Sequence, residues 1–446
     1  MTFSDLLRQP LFYYRNMNIQ DLYPIFLKSS GVTTDTRNAI ENSIFFALKG
    51  ETFNGNKFAR QALENRCAFA VIDEKEYALD DRYILVTNVL ETLQELAGYH
   101  RNNLRIPVIA ITGTNGKTTT KELIAAVLSK KYKVAFTQGN LNNHIGVPLT
   151  LLSINRTHEM AIIEMGANHP GEIKILAEIA KPDFGIITNI GKAHLEGFGS
   201  FENVIKTKTE LYHYLKTQNG KVFYNRDNEI LDEYVQRLEL DSISYGRKSN
   251  HLYGELLSSE KFLEADIFVD GLIKRICTNL VGGYNLENVL AAISIGKYFK
   301  VDLEYLISAI EDYKPKNNRS QFVDTDKNSL ILDAYNANPT SVDAALRNFE
   351  SLHLDHKCVI LGDMKELGSE SLVEHEKIIK YLENTNFDIK VLIGEIYSSL
   401  KTATDILRFK DVNEFNGWLS ENPIINSTIL IKGSRAVKLE EIVKNL

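Results

Sequence analysis

Cysteine is scarce in this chain of 446 residues: three thiols, Cys67, Cys277 and Cys358, stand far apart and fit no CxxC or metal-ligand spacing. That excludes a disulfide scaffold and a thiolate metal centre, and it points to a reducing compartment. Positive charge is not in excess either, since 51 Lys and Arg against 58 Asp and Glu leave a net charge of -7. Without a basic field or basic, aromatic-rich patches, nucleic acid and anionic lipid are not expected partners, and a polyanion must be captured by a local site. No apolar run nears the ~20 residues that span a bilayer, and the opening MTFSDLLRQPLFYYRN lacks the basic-then-apolar layout of a secretory signal. A cytoplasmic protein without membrane insertion is expected. Fixed-period repeats and low-complexity tracts are absent as well.

What is present is apolar material, 44% of residues, and a length that at roughly 150 residues per domain suggests about three domains. Residues 1–103 mix short strands (SIFFALKG, AFAVI, YILVT) with helical stretches at 56–65 and 89–101, which reads as a small α/β unit. Residues 104–316 open with the apolar strand Pro107 to Thr112, then alternate strands (KVAFT, EMAIIEMG, FGIITNI) with helix-length segments. Buried strands separated by helices imply a parallel sheet with right-handed crossovers. The polar stretch YKPKNNRS at 313–320 reads as a linker. In 317–446, SLILDAY, KCVILGDM, IKVLIGE and STILIKGS alternate with helices again, as in a dinucleotide fold. Ligands of such sheets bind beyond the carboxyl ends of the strands.

The segment IPVIAITGTNGKTTTKELIAAVLSKKY is an apolar strand, a glycine-rich turn and an amphipathic helix in succession, the context that makes a motif match a phosphate site. Gly113 and Gly116 let backbone amides reach phosphate oxygens, and the helix start adds its positive dipole end. Lys117 would neutralise the outer phosphates, and Thr118 would ligate magnesium. Where the common phosphate loop carries a further glycine, this chain has Ile111, so the loop is a shorter GTNGKT form. A plain glycine turn with a solvated lysine is the competing reading. After the strands EMAIIE and FGIITNI come Glu164 and His194, placed where a parallel sheet delivers ligands. Asn285 and Asn288 sit one helical turn apart, and Asn338 precedes Pro339 as a helix cap would.

The GTNGKTT loop resembles that of the Mur ligases of peptidoglycan synthesis, and so do TTDTR (33–37), FFALKGETFNG (45–55), GNLNNHIGVPLTLL (139–152), YNANP (335–339), LGDMKELG (361–368) and KGSR (432–435). Together these segments span nearly the whole chain. The resemblance implies three α/β domains: an N-terminal one for the UDP-sugar, a central phosphate-loop ATPase domain, and a C-terminal dinucleotide-fold-like domain for the incoming amine. It implies ATP-dependent ligation of D-alanyl-D-alanine to UDP-N-acetylmuramoyl-tripeptide, by a monomer, through an acyl phosphate.

For the site, the resemblance implies ATP contacts from Gly113, Thr114, Asn115, Gly116, Lys117, Thr118, Thr119, Asn285, Asn288, Arg319 and Asp333. The family usually has His where this chain has Tyr284, and Leu332 replaces an acid before Asp333. Two magnesium ions are expected on Thr118, Glu164, His194 and a carbamylated Lys208, with Lys206 the competing lysine and two solvated lysines the competing reading. Lys117, Lys208, His194 and Glu164 form the expected catalytic set. Substrate contacts are expected from Thr34, Asp35, Thr36 and Arg37, from Asn142 and Asn143, and from Tyr335, Asn336, Asn338, Lys432 and Arg435. Rival expectations leave Glu164 and Asn285 as helix caps and Thr34–Arg37 as a plain turn. Another superfamily member, such as folylpolyglutamate synthetase, and a non-catalytic nucleotide-binding regulator are the rival functions.

Overall fold

The computed structural model describes residues 17–249, 251–316, 319–403 and 405–446. Asn317 and Asn318 of the expected linker, and the opening segment up to Asn16, lie outside the described residues. By contact the chain divides into two units, one holding residues up to Val108 with 135–165 and 175–182, the other holding 109–134, 166–174 and 183–446.

In the first unit the strands Val32–Thr33, Ile44–Phe46, Phe69–Ile72 and Tyr83–Leu85 form a parallel sheet in that order. Phe45, Ala47, Ala59, Ala62, Ala70 and Ile72 form the core beneath it. The two expected helical stretches appear as Ala59–Glu64, entered through a short 3-10 turn, and Val89–Asn103. Val89–Asn103 starts where the Asn88 side chain accepts from Glu91 N. Strands Val134–Phe136 and Met160–Glu164 each end in a loop that carries polar side chains.

In the second unit, Asp241–Tyr245, Lys221–Asn225, Phe184–Ile187 and the strand Val108–Thr112, which enters this unit at Ile109, are parallel neighbours in that order. All five side chains of Val108–Thr112 are buried, as a strand covered on both faces requires. Helix Lys117–Leu128 follows it and packs on helix Leu286–Tyr298. A three-stranded antiparallel sheet, Leu252–Ser258, Glu264–Val269 and Leu272–Cys277, interrupts the βα alternation. The last region is a six-stranded sheet in the order Gln321–Asp324, Ser329–Asp333, Thr428–Lys432, Lys357–Gly362, Ile389–Ile393, Ile406–Phe409. Its first strand is antiparallel and the rest are parallel. The fold is thus α/β, with mainly parallel sheets. No helix among the described residues is long and apolar enough to cross a membrane.

Candidate active site

The phosphate loop is laced to the segment that follows the neighbouring strand. Thr114 N donates to Asn189 O (2.9 Å) and Thr114 Oγ1 to Gly191 O (3.1 Å). Asn115 N donates to Asn189 Oδ1 (2.9 Å), and Thr188 Oγ1 donates to Asn115 O (2.6 Å). Gly113 lies at φ +141°, and a Cβ there would fall 2.0 Å from Thr188 Oγ1. Gly116, at φ +75°, is the N-cap of helix Lys117–Leu128, and no side chain caps that helix. An uncapped N-terminus of a 12-residue helix, entered through a left-handed glycine, is built to receive an anion. Lys117 is folded over the loop, with Nζ donating to Gly113 O (2.8 Å) and Thr114 O (3.1 Å). Thr118 is buried and Thr119 half-buried.

Behind this helix a chain of side chains fixes its pitch. Thr120 Oγ1 donates to Asn288 Oδ1 (2.9 Å), Asn288 Nδ2 to Asn285 Oδ1 (2.8 Å), and Asn285 Nδ2 to Val281 O (2.8 Å). Both asparagines are thus in contact on one face, buried, and spent on each other and on the phosphate helix. Asn285 occupies the N-cap of helix Leu286–Tyr298, but its side chain makes no cap bond.

Lys208 lies on helix Phe201–Thr217 and is 2% exposed, whereas its competitor Lys206 points to solvent, with its side chain 64% exposed and Glu202 3.6 Å away. Burial, reinforced by the Lys117 ammonium, lowers the Lys208 amine to about 7. Its Nζ sits 5.4 Å from the centre of the Phe198 ring. His194 precedes the turn Leu195–Phe198 at φ +52°. Its Nδ1 is 2.5 Å from Glu366 Oε2, and that carboxyl is held below its ordinary range by the imidazole. In the first unit, Glu164 closes strand Met160–Glu164 and is buried, so it is no surface cap. Its Oε1 accepts from Asn142 Nδ2 (2.8 Å), and its backbone N donates to Thr137 Oγ1 (3.0 Å). Asn143 Oδ1 accepts from Ile145 N and Gly146 N, at the start of helix Gly146–Leu152.

Thr34–Arg37 form a tight turn in which Asp35 accepts from Arg37 N and pairs with the Arg37 guanidinium at 2.7 Å, which draws the Asp35 carboxyl down to about 2. The Arg37 side chain is otherwise solvent-facing. In the last region, Asp333 Oδ2 meets Lys432 Nζ at 2.5 Å, and Lys432 is 2% exposed. Arg319 and Arg435 both lie by the Tyr335 ring. The Asn336 side chain accepts from Ala337 N. Asn338 caps helix Pro339–Ser351 in a reciprocal box with Ser341 and also donates to Asn115 Oδ1 on the phosphate loop (2.8 Å).

Sequence reasoning passed over residues that hold the loop and others that tie the segment after it to the last region. Thr188 and Asn189 follow the strand FGII and hold the loop's carbonyl and amide groups. Lys192 Nζ meets the buried Glu374 at 3.1 Å, and Lys192 N donates to Thr340 Oγ1. The readable signal was the polar TN pair at the carboxyl end of a buried strand. The candidate donors for magnesium, a hydroxyl, a carboxylate and an imidazole, fit a cation that takes few protein ligands alongside phosphate oxygens. No group of three His, Cys, Asp or Glu side chains gathers to hold a metal among the described residues.

An α/β chain with a phosphate loop at the end of a buried parallel strand is a nucleotide-binding protein by class. The family models for the Mur ligase middle domain and the Mur ligase glutamate ligase domain match residues 111–296 and 318–435. The UDP-N-acetylmuramoyl-tripeptide--D-alanyl-D-alanine ligase of Bacillus subtilis is 34% identical over 93% of each chain. The protein of that name from Escherichia coli is 32% identical, also over 93% of each. MurF from Acinetobacter baumannii superposes with a TM-score of 0.85 at 29% identity, over 93% of this chain and 92% of that one. The MurF ligase from Thermotoga maritima in complex with ADP gives 0.83 at 26% identity, over 94% and 97%. The chain belongs to the Mur ligase family.

Proposed function

We propose that this chain joins D-alanyl-D-alanine to UDP-N-acetylmuramoyl-tripeptide at the expense of ATP, as a cytoplasmic monomer with no nucleic-acid partner. The observation that carries the reading is the uncapped, glycine-entered helix N-terminus with Lys117 folded over it, in a chain alike over 93% of its length to an enzyme named for that reaction.

The division of labour is 1–103 for the UDP-sugar, 104–316 for ATP and 317–446 for the incoming amine. ATP lies on Gly113–Thr119, with its phosphates on the loop amides and Lys117. The terminal carboxylate of the tripeptide attacks the outer phosphorus, ADP leaves, and an acyl phosphate forms. The dipeptide amine then attacks the acyl carbon, expels phosphate and loses a proton. Bound magnesium would supply charge neutralisation of the phosphates and the leaving oxygen. Its candidate ligands are Thr118, Glu164, His194 and Lys208 as a carbamate, enough donors for two ions. Carbamylation needs a neutral amine, which attacks carbon dioxide and releases a proton; the burial that lowers the Lys208 amine to about 7 supplies one. Lys117 meets charge that grows in the transition state. Asn142 holds Glu164, and Asn285 and Asn288 support the phosphate helix at the adenine side, with Arg319 and Asp333 on the nucleotide from the third domain. Thr34–Arg37 take the UDP end, Asn143 borders the peptide stem, and Asn336, Asn338, Lys432 and Arg435 serve the amine substrate.

The test is to supply ATP, magnesium and D-alanyl-D-alanine with each UDP-muramoyl tripeptide, ending in diaminopimelate or lysine, and to follow phosphate release and product mass. Phosphate release that requires both partners and yields the pentapeptide is expected. Release driven instead by glutamate and a folate would overturn the assignment.

A further inference from the structure

At one corner of the third domain three segment ends meet. Strands Ser329–Asp333 and Thr428–Lys432 are parallel neighbours with Asp333 opposite Lys432, and Gln321–Asp324 runs antiparallel to the first of them with Gln321 opposite Leu332. That register brings Arg319, Tyr335 and Arg435 to the same edge of the sheet. The Arg319 guanidinium carbon lies 3.6 Å from the centre of the Tyr335 ring, a stacking distance, and that of Arg435 lies 5.6 Å away.

A guanidinium beside a carboxylate ordinarily pairs with it, and Asp333 stands only two residues before Tyr335. Here Asp333 is already engaged: Lys432 Nζ sits 2.5 Å from Oδ2, and Ser320 N donates to Oδ1 at 3.3 Å. Among the described residues neither guanidinium forms an ion pair or a hydrogen bond. The ring is therefore what holds Arg319 in place, and a guanidinium stacked by its plane keeps its fork of N–H donors open at the edge. Packing does not account for the ring, since Tyr335 belongs to neither hydrophobic cluster of this domain. The Tyr335 hydroxyl has no hydrogen-bond partner among the described residues, so the face of the ring is the part in use.

We infer that Tyr335 is a positioning residue, whose ring holds the Arg319 guanidinium with its fork presented to the phosphates of the nucleotide, rather than a contact of the dipeptide. The inference rests on the proposed function through Arg319, and it removes Tyr335 from the set that touches the amine substrate. Replacing the ring should then weaken nucleotide binding while leaving the dipeptide site untouched.

The experiment measures the affinity for magnesium AMPPNP by calorimetry and the KM for D-alanyl-D-alanine, in wild type, Tyr335→Leu, Tyr335→Phe, Arg319→Ala and the double variant Tyr335→Leu/Arg319→Ala. Tyr335→Leu should bind the nucleotide about tenfold more weakly with an unaltered dipeptide KM. Tyr335→Phe, which keeps the ring, should recover the affinity. In the Arg319→Ala background the Leu substitution should add little, because both changes remove one interaction. A raised dipeptide KM with unchanged nucleotide affinity would overturn the inference, and so would a Phe variant as weak as Leu or a Leu effect undiminished without Arg319. Wild-type protein that binds no AMPPNP overturns the proposed function itself, whereas normal wild-type binding with an indifferent Leu variant overturns the inference alone.

Discussion

Lys117 and Lys208 carry opposite demands on the same element of charge. In the proposed role Lys117 meets phosphate as an ammonium, and that charge is one of the two causes that lower the Lys208 amine. Removing Lys117 therefore has two expected effects. Lys117→Ala should reduce dipeptide-dependent ADP release by at least ~100-fold, the scale for losing one transition-state donor, with a thermal midpoint close to wild type. A kinetic assay beside a melting curve checks both, and normal turnover would refute the role. Lys208 makes a pH prediction of definite sign. Its protonated form cannot attack carbon dioxide, so at fixed dissolved carbon dioxide the carbamate should grow as pH rises through about 7. Carbon-13 NMR with labelled carbon dioxide should show a carbamate resonance that strengthens between about pH 6 and 8, set by that amine value. The resonance should be absent in Lys208→Arg. A signal that persists in that variant, or one that weakens with rising pH, would exclude Lys208 as its source.

At the level of elements, the strand-turn-helix from Val108 to Leu128 shows why part of this molecule could be read directly from its sequence. Apolar run, glycine turn and helix pattern all agree there, and Gly116 adopts the left-handed conformation the motif requires. Gly116→Ala should therefore act on fold and function together. The strained φ costs about 1–3 kcal/mol, and the added Cβ would stand 2.6 Å from Asn288 Oδ1, the group that accepts from Thr120. A lowered melting temperature together with lost nucleotide affinity is expected in differential scanning calorimetry with and without ATP. A variant that melts and binds like wild type would show the loop to be unstrained. Other elements escaped the reading. The sheet Leu252–Cys277 is antiparallel, and its signal was an Asp270–Gly271 hairpin turn with both residues at positive φ, easily lost inside a βα alternation. Asn285 and Asn288 were legible as sharing a face, but Asn288 was not legible as the acceptor of Thr120, because that contact spans well over a hundred residues. The Asp35–Arg37 pair was equally hidden, since a turn motif does not say whether its arginine points to a ligand or to its own neighbour.

On the scale of the molecule, the second unit joins the phosphate loop to the last sheet through polar contacts that no local pattern could announce. Asn338 reaches Asn115, Lys192 reaches Glu374, and His194 reaches Glu366. Each pairs a residue beside the nucleotide loop with one from the motifs YNANP or LGDMKELG or from the helix after them. The α/β class and the order of the regions followed from the alternation of strands and helices, while these ties depend on how two sheets are brought together. Asn338 is at once a helix cap and a contact of the phosphate loop. All of this presupposes that the loop from Gly113 to Lys117 holds a nucleoside triphosphate. Calorimetric titration of the purified protein with magnesium ATP tests that most directly. Saturable one-to-one binding is predicted for wild type and a marked loss for Lys117→Ala, whereas a wild-type titration without binding heat at any temperature tried would contradict the account.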